Sequence, residues 1–138
     1  MRTLHVANSD RILSNISSFE AMINLTKDAM ENFIEKNRNS MSVSIMTKSG
    51  NCITGIIHDA VSSDHSDEKK LLNMVKATGE IEIIRILCMW QEGCFDMPSY
   101  NFREMICDVH PNNKNAEMLV SGENCFIKYT IAETMYSK

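Results

Sequence analysis

Phe19, Met22, Ile23, Met30, Phe33 and Ile34 recur at helical spacing, and this stripe constrains the chain more than any other feature. It predicts an amphipathic helix over residues 18–37 whose apolar side must be buried against another layer. Ser17 and Glu20 stand at capping-box spacing, in which the serine accepts from the third helical amide and the glutamate reaches back. Asn37-Arg38-Asn39-Ser40 ends the helix, and His5-Val6-Ala7 upstream could form part of an edge strand.

Beyond this helix, strand and helix patterns take turns along the chain. Met41, Val43 and Ile45 alternate with Ser42 and Ser44, the mark of a half-buried strand. Ser49-Gly50-Asn51 supplies a turn and Cys52 to Ile57 the returning strand of a hairpin. A polar loop runs from His58 to Asp67, and residues 67–78 form a second helix with Leu71, Leu72 and Val75 inward and Gly79 closing it. The apolar run from Ile81 to Trp90 reads as a central strand, turned by Gln91-Glu92-Gly93. Asp96, Pro98 and Ser99 open a third helix with Phe102, Met105, Ile106 and Val109 on its apolar side. His110-Pro111 stops it, since a residue before proline is biased away from helix. Glu117 to Val120 and Cys125 to Ala132 read as a last hairpin, followed by a frayed tail, Thr134 to Lys138. The order α-β-β-α-β-α-β-β predicts a single α+β domain over residues 1–138. Its N-terminal helix packs on a mostly antiparallel sheet that could curl into a barrel.

Composition supports an unaided core and narrows the partners. The chain has 138 residues, 43% of them apolar and 23% charged, which suits one globular domain. No apolar run nears the ~20 residues of a membrane span, and no signal-peptide pattern opens the chain, so the expected compartment is the cytoplasm. Five cysteines, an odd number set in mostly apolar runs, read as reduced, packed thiols. The formal charge is −4 and only Lys69-Lys70 are adjacent, which argues against a nucleic-acid partner without excluding a basic patch that folding assembles from scattered residues.

The sequence contains no phosphate-cradling glycine loop, no His-Glu-x-x-His and no Gly-x-Ser-x-Gly, and no cofactor is expected. Cys88, Cys94, Cys107 and His110 offer four soft ligands for zinc, but Cys88 and Cys94 stand wider apart than a zinc knuckle, and packed thiols are the expected reading. The loop residues His58, Asp59, His65 and Asp67 could bind a divalent ion or hold a histidine for general-base work. Asp64, Ser66 and Asp67 equally suit the capping of a helix N-terminus. Met89, Trp90, Phe95, Met97, Tyr100 and Arg103 make a candidate contact surface, with core packing as the competing account.

The stretch Val43 to Asp59 resembles the first motif of the Sm-like small β-barrels, which include a bacterial RNA chaperone. Gly50-Asn51-Cys52-Ile53-Thr54-Gly55-Ile56-Ile57 fits that family's Gly-x-x-apolar-x-Gly-x-apolar pattern, Asp59 falls near its acidic position, and the likeness spans roughly residues 18–59. It implies a ring-forming barrel with ligands bound between subunits. Taken together, these features lead to the expectation of a non-catalytic binding or inhibitor protein of the immunity or phage counter-defence type. It would self-associate and act on a protein or small-ligand partner. An Sm-like nucleic-acid or nucleotide binder is the alternative, and a small hydrolase using the His58/His65 loop or a cysteine is the second.

Overall fold

The computed structural model describes residues 17–33, 39–62 and 64–136, without the side chains of Ser17, Ser18 and Tyr136. The expected strand at His5-Val6-Ala7, the Ser17 side chain of the capping box, the last predicted turn of the first helix at Ile34 and the end of the tail lie outside the described residues.

The periodic stripe forms helix α1, Ser17–Asn32. The predicted hairpin is β1, Met41–Thr47, and β2, Cys52–Ile57, joined at Gly50, whose φ of 98° is the left-handed conformation that favours glycine. Helix α2 follows at Ser66–Ala77, then the central strand β3 at Ile83–Trp90 and a two-residue strand β4 at Phe95–Asp96, too short to leave a periodic signal in the sequence. Helix α3 spans Tyr100–Val109, capped by the Ser99 hydroxyl accepting from the Phe102 amide. A 3₁₀ turn at Pro111–Asn115 leads into β5, Glu117–Gly122, and β6, Cys125–Thr130. Residues 131–136 are helix α4 and not a frayed tail, because Ile131 is fully buried and anchors it.

The strands form one open sheet in the order β2-β1-β3-β5-β6, with β4 paired to the end of β3. All pairings are antiparallel except β3 with β5, whose parallel register (Arg85 with Glu117, Ile86 with Met118) is reached by the crossover through α3. The sheet does not close, so the barrel implied by the Sm-like likeness is absent. Gly55 has a packing reason instead of a bending one: α2 lies against it, and a Cβ there would meet Leu71 Cδ1 at 2.9 Å.

Helices cover both faces of the sheet, which makes a three-layer arrangement. On one side Phe19, Met22, Ile23 and Met30 of α1 pack on Leu87, Met89, Phe95 and Leu119. On the other, Leu71, Leu72 and Val75 of α2 and Phe102 and Ile106 of α3 pack on Val43, Ile45, Ile86, Cys88 and Met118. Ser42 and Ser44 alternate with these residues as a solvent-facing row would, yet both are fully buried under α1. Their hydroxyls are satisfied there: Ser42 donates to the Thr26 carbonyl at 2.9 Å and Ser44 bonds Thr26 Oγ1 at 2.8 Å.

Candidate functional site

Chemistry-bearing side chains gather where the N-termini of α2 and α3 meet. Glu68, in the first turn of α2, is only 3% exposed, and a carboxylate is costly to bury unless donors surround it. Two polar groups do so. His65 Nδ1 lies 2.7 Å from Oε1, and the Ser99 hydroxyl donates to Oε2 at 2.8 Å. Ser99 is also the cap of α3, so one hydroxyl ties the start of that helix to the carboxylate on α2. The partial positive charge at each helix N-terminus further favours an anion here. With Glu68 ionised and His65 neutral, the 2.7 Å contact requires the proton on Nδ1 and leaves Nε2 as the ring's acceptor. The His65 side chain is 30% exposed, so anything arriving from solvent meets His65 before Glu68.

The polar loop is therefore split into two pairs. His65 belongs to the Glu68 cluster, while His58 pairs with Asp67, whose Oδ2 receives the His58 backbone N–H at 2.9 Å and sits 2.8 Å from Nδ1. Burial pushes the Asp67 carboxyl up, but the bonds and charge from His58 outweigh it and hold the group below its usual range. Asp59 is spent on its own turn, accepting from the Val61 amide.

The four soft ligands do not gather. Cys88 is fully buried in β3, Cys94 is exposed in the turn after it, and Cys107 lies near the far end of α3. His110 faces Glu82 at 3.9 Å and accepts from the Asn112 amide. Burial, with repulsion from Asp96 and Glu68, pushes the Cys88 thiol well up, so it stays protonated and is a poor ligand. Among the described residues no group of three or more His, Cys, Asp or Glu side chains could hold a metal ion.

The candidate contact surface is divided by the sheet. Met89 and Phe95 are buried beneath α1, and Trp90 is half-buried on the opposite face with its ring N–H donating to Asp96 at 2.9 Å. Met97 packs against the same opposite core. Tyr100 stands 53% exposed, with the Arg103 guanidinium 5.6 Å from its ring centre and Arg103 Nε donating to the Pro98 carbonyl.

No protein-family model and no curated protein sequence matches the chain. Solved structures do. The chain is similar to the cytidine deaminase of Mycobacterium leprae, with a TM-score of 0.66 and 16% identity over 86% of this chain and 98% of that one. It is also similar to the Mycobacterium tuberculosis cytidine deaminase (0.61, 11%, 86% and 94%) and to that of Burkholderia pseudomallei (0.60, 15%, 83% and 93%). At such identities the likeness is one of fold.

This fold corrects two expectations. The Sm-like reading fails, since the neighbours are cytidine deaminases and the sheet is open. The expected non-catalytic inhibitor of the immunity or counter-defence type is overturned by the same neighbours, which are enzymes, and by a buried carboxylate where two helices begin. The small-hydrolase alternative comes nearer in place, because His65 is in the cluster, but it specified neither the fold nor Glu68.

Zinc deaminases as a class carry a His-x-Glu or Cys-x-Glu pair and a Pro-Cys-x-x-Cys run. The His and Cys side chains hold the metal, and the glutamate works as acid and base without binding it. By spacing alone, Ser66-Asp67-Glu68 and Pro98-Ser99-Tyr100-Asn101-Phe102 fit that pattern, at the two helix starts that Ser99 joins. The ligand positions then fall on Ser66, Ser99 and Phe102. Two hydroxyls and a phenyl ring do not make a zinc site, which takes thiolate, imidazole or carboxylate donors. The residues present do not fit the metal.

Proposed function

We propose that this chain acts on a nucleoside or nucleobase bearing an exocyclic amine and releases that amine as ammonia, with the Glu68–His65 pair moving the protons. The observation that carries the reading is the buried carboxylate of Glu68, bonded to His65 and to the cap of α3 in a fold shared with cytidine deaminases.

The step is a hydrolysis. A water oxygen bonds to the ring carbon that holds the amine, the carbon–nitrogen bond breaks, and a carbonyl and ammonia result. His65 Nε2 accepts a proton from the attacking water while Glu68 steadies the imidazolium from the Nδ1 side. The same pair returns the proton to the departing nitrogen. Positioned acid–base catalysis of this kind supplies about 10²–10⁴-fold, so turnover is expected to be slow.

The reading extends to compartment and assembly. No helix among the described residues is long and apolar enough to cross a membrane, and we take the protein to work in the cytoplasm as an assembly of several copies.

The test is a panel of cytidine, deoxycytidine, adenosine and their free bases, followed by ammonia release and by chromatography of the base. Conversion is expected with the wild type, reduced at least about 100-fold in Glu68→Gln and His65→Asn while circular dichroism stays native. A panel that is neither bound nor converted would contradict the proposal.

A further inference from the structure

We infer that Ser66, Ser99 and Phe102 occupy a metal-ligand frame whose geometry the fold has kept, and that a hydrogen-bonded lock of Glu68, Ser99 and His65 stands there in place of zinc. The inference rests on the fold and the two helix starts, not on the choice of substrate.

Each position has a physical account. Ser66 opens α2 two residues before Glu68, and its exposed hydroxyl is a neutral, weak donor to zinc. Ser99 is spent twice, accepting from the Phe102 amide at 3.1 Å and donating to Glu68 at 2.8 Å. Phe102 is 0% exposed and packed in the core between sheet and helices, so its ring contributes volume and no ligand atom. His65 lies one residue before the ligand position of α2, and its Nδ1 is engaged by Glu68 at 2.7 Å.

Among the described residues no group of three or more His, Cys, Asp or Glu side chains restores the set. Cys107 is eight residues beyond Ser99, about 12 Å along α3 at the helical rise, too far to stand in for a ligand at the helix start. In a metal-bearing site the carboxylate would share its surroundings with a divalent cation. Here the serine hydroxyl and the imidazole supply the compensation, which explains how Glu68 remains buried without one.

The experiment measures metal content without any substrate, so its outcome is separate from the deamination assay. Protein purified without chelator is analysed for zinc and titrated with Co²⁺, whose thiolate charge-transfer absorption reports cysteine ligation. The wild type is expected to hold well under 0.1 zinc per chain. The variant Ser66→Cys/Ser99→Cys/Phe102→Cys, which keeps Glu68, is expected to take about one metal per chain in the tetrahedral arrangement. About one zinc per wild-type chain, lost on His65→Asn, would overturn the inference and leave the proposed substrate class standing. So would a folded triple variant that binds Co²⁺ no better than the wild type. If loss of the Phe102 ring unfolds the triple variant, Ser66→Cys/Ser99→Cys serves instead. With two thiolates at the joined helix starts it is expected to bind Co²⁺ at least 100-fold tighter than the wild type, and equal binding would overturn the frame.

Discussion

The two faces of the sheet bury polar groups in different ways. Under α1 the fully buried polar side chains are neutral: Ser42, Ser44 and Thr26 bond one another and backbone carbonyls, and Thr26 Oγ1 donates to the Met22 carbonyl at 2.6 Å. A charge set against α1, the half-buried Arg85 over the Phe19 ring, faces Glu117 at 3.8 Å. Under α2 and α3 the fold buries a carboxylate, Glu68, and holds it with side chains from two helix starts. Satisfied hydroxyls are nearly neutral in energy, whereas a buried carboxylate stays costly even when its bonds are made. The α1 face therefore reads as structure, and the α2/α3 face as the place where the fold bears a cost for chemistry.

Substitutions on the two faces should accordingly separate stability from activity. Phe19→Ala, at a fully buried ring of α1, should cost about 3–5 kcal/mol in urea unfolding and leave conversion per folded molecule unchanged. Phe33, only half-buried and edge-on to His58 at 5.1 Å, should cost less, about 1–2 kcal/mol on truncation to Ala. A loss of turnover in Phe19→Ala at equal folded concentration would join the two faces and break the distinction. Ser99→Ala removes both the cap of α3 and a donor to Glu68, and should cost about 1–3 kcal/mol together with turnover. Thr26→Val, its counterpart under α1, should cost about 1 kcal/mol and no turnover.

The smallest effect is electrostatic. The Asp67 carboxyl is held below its usual range despite the opposing effect of burial, because its bonds and charge interaction with His58 favour the charged form. Its contribution to stability is present above the unfolded value of about 3.9 and is lost as pH falls through the lower folded value. Melting temperature measured from pH 5 downward should fall more steeply in the wild type than in Asp67→Asn. Parallel curves would remove the pair from the acid response.

The sequence made the helices and strands readable where one-sided periodicity was strong, as in α1, β1, α2 and α3. It misled where a second layer covers a face that looks polar, since Ser42 and Ser44 alternate like surface residues although α1 buries them. The sharp Sm-like pattern around Gly55 proved to be a local likeness, because close packing of Leu71 demands the same small residue that a barrel bend would. The site was half visible. His65 stood out as a titratable group in a loop, but Glu68 read as one more acid in a helix's first turn. Ser66-x-Glu68 and Pro98-Ser99-x-x-Phe102 keep the spacing of a metal signature without its cysteines, so a search for ligand residues passes over them. Only the fold brings the two segments together.

Amide chemical-shift mapping tests the division between the faces most directly. With ¹⁵N-labelled protein titrated with cytidine, deoxycytidine and adenosine, the account predicts that the responding nucleoside shifts the amides of His65, Glu68, Ser99 and Phe102. It also predicts that Glu68→Gln abolishes the response and that the amides of α1 stay still. Shifts confined to α1 and its strand contacts, or a response at the helix starts that survives Glu68→Gln unchanged, would contradict it.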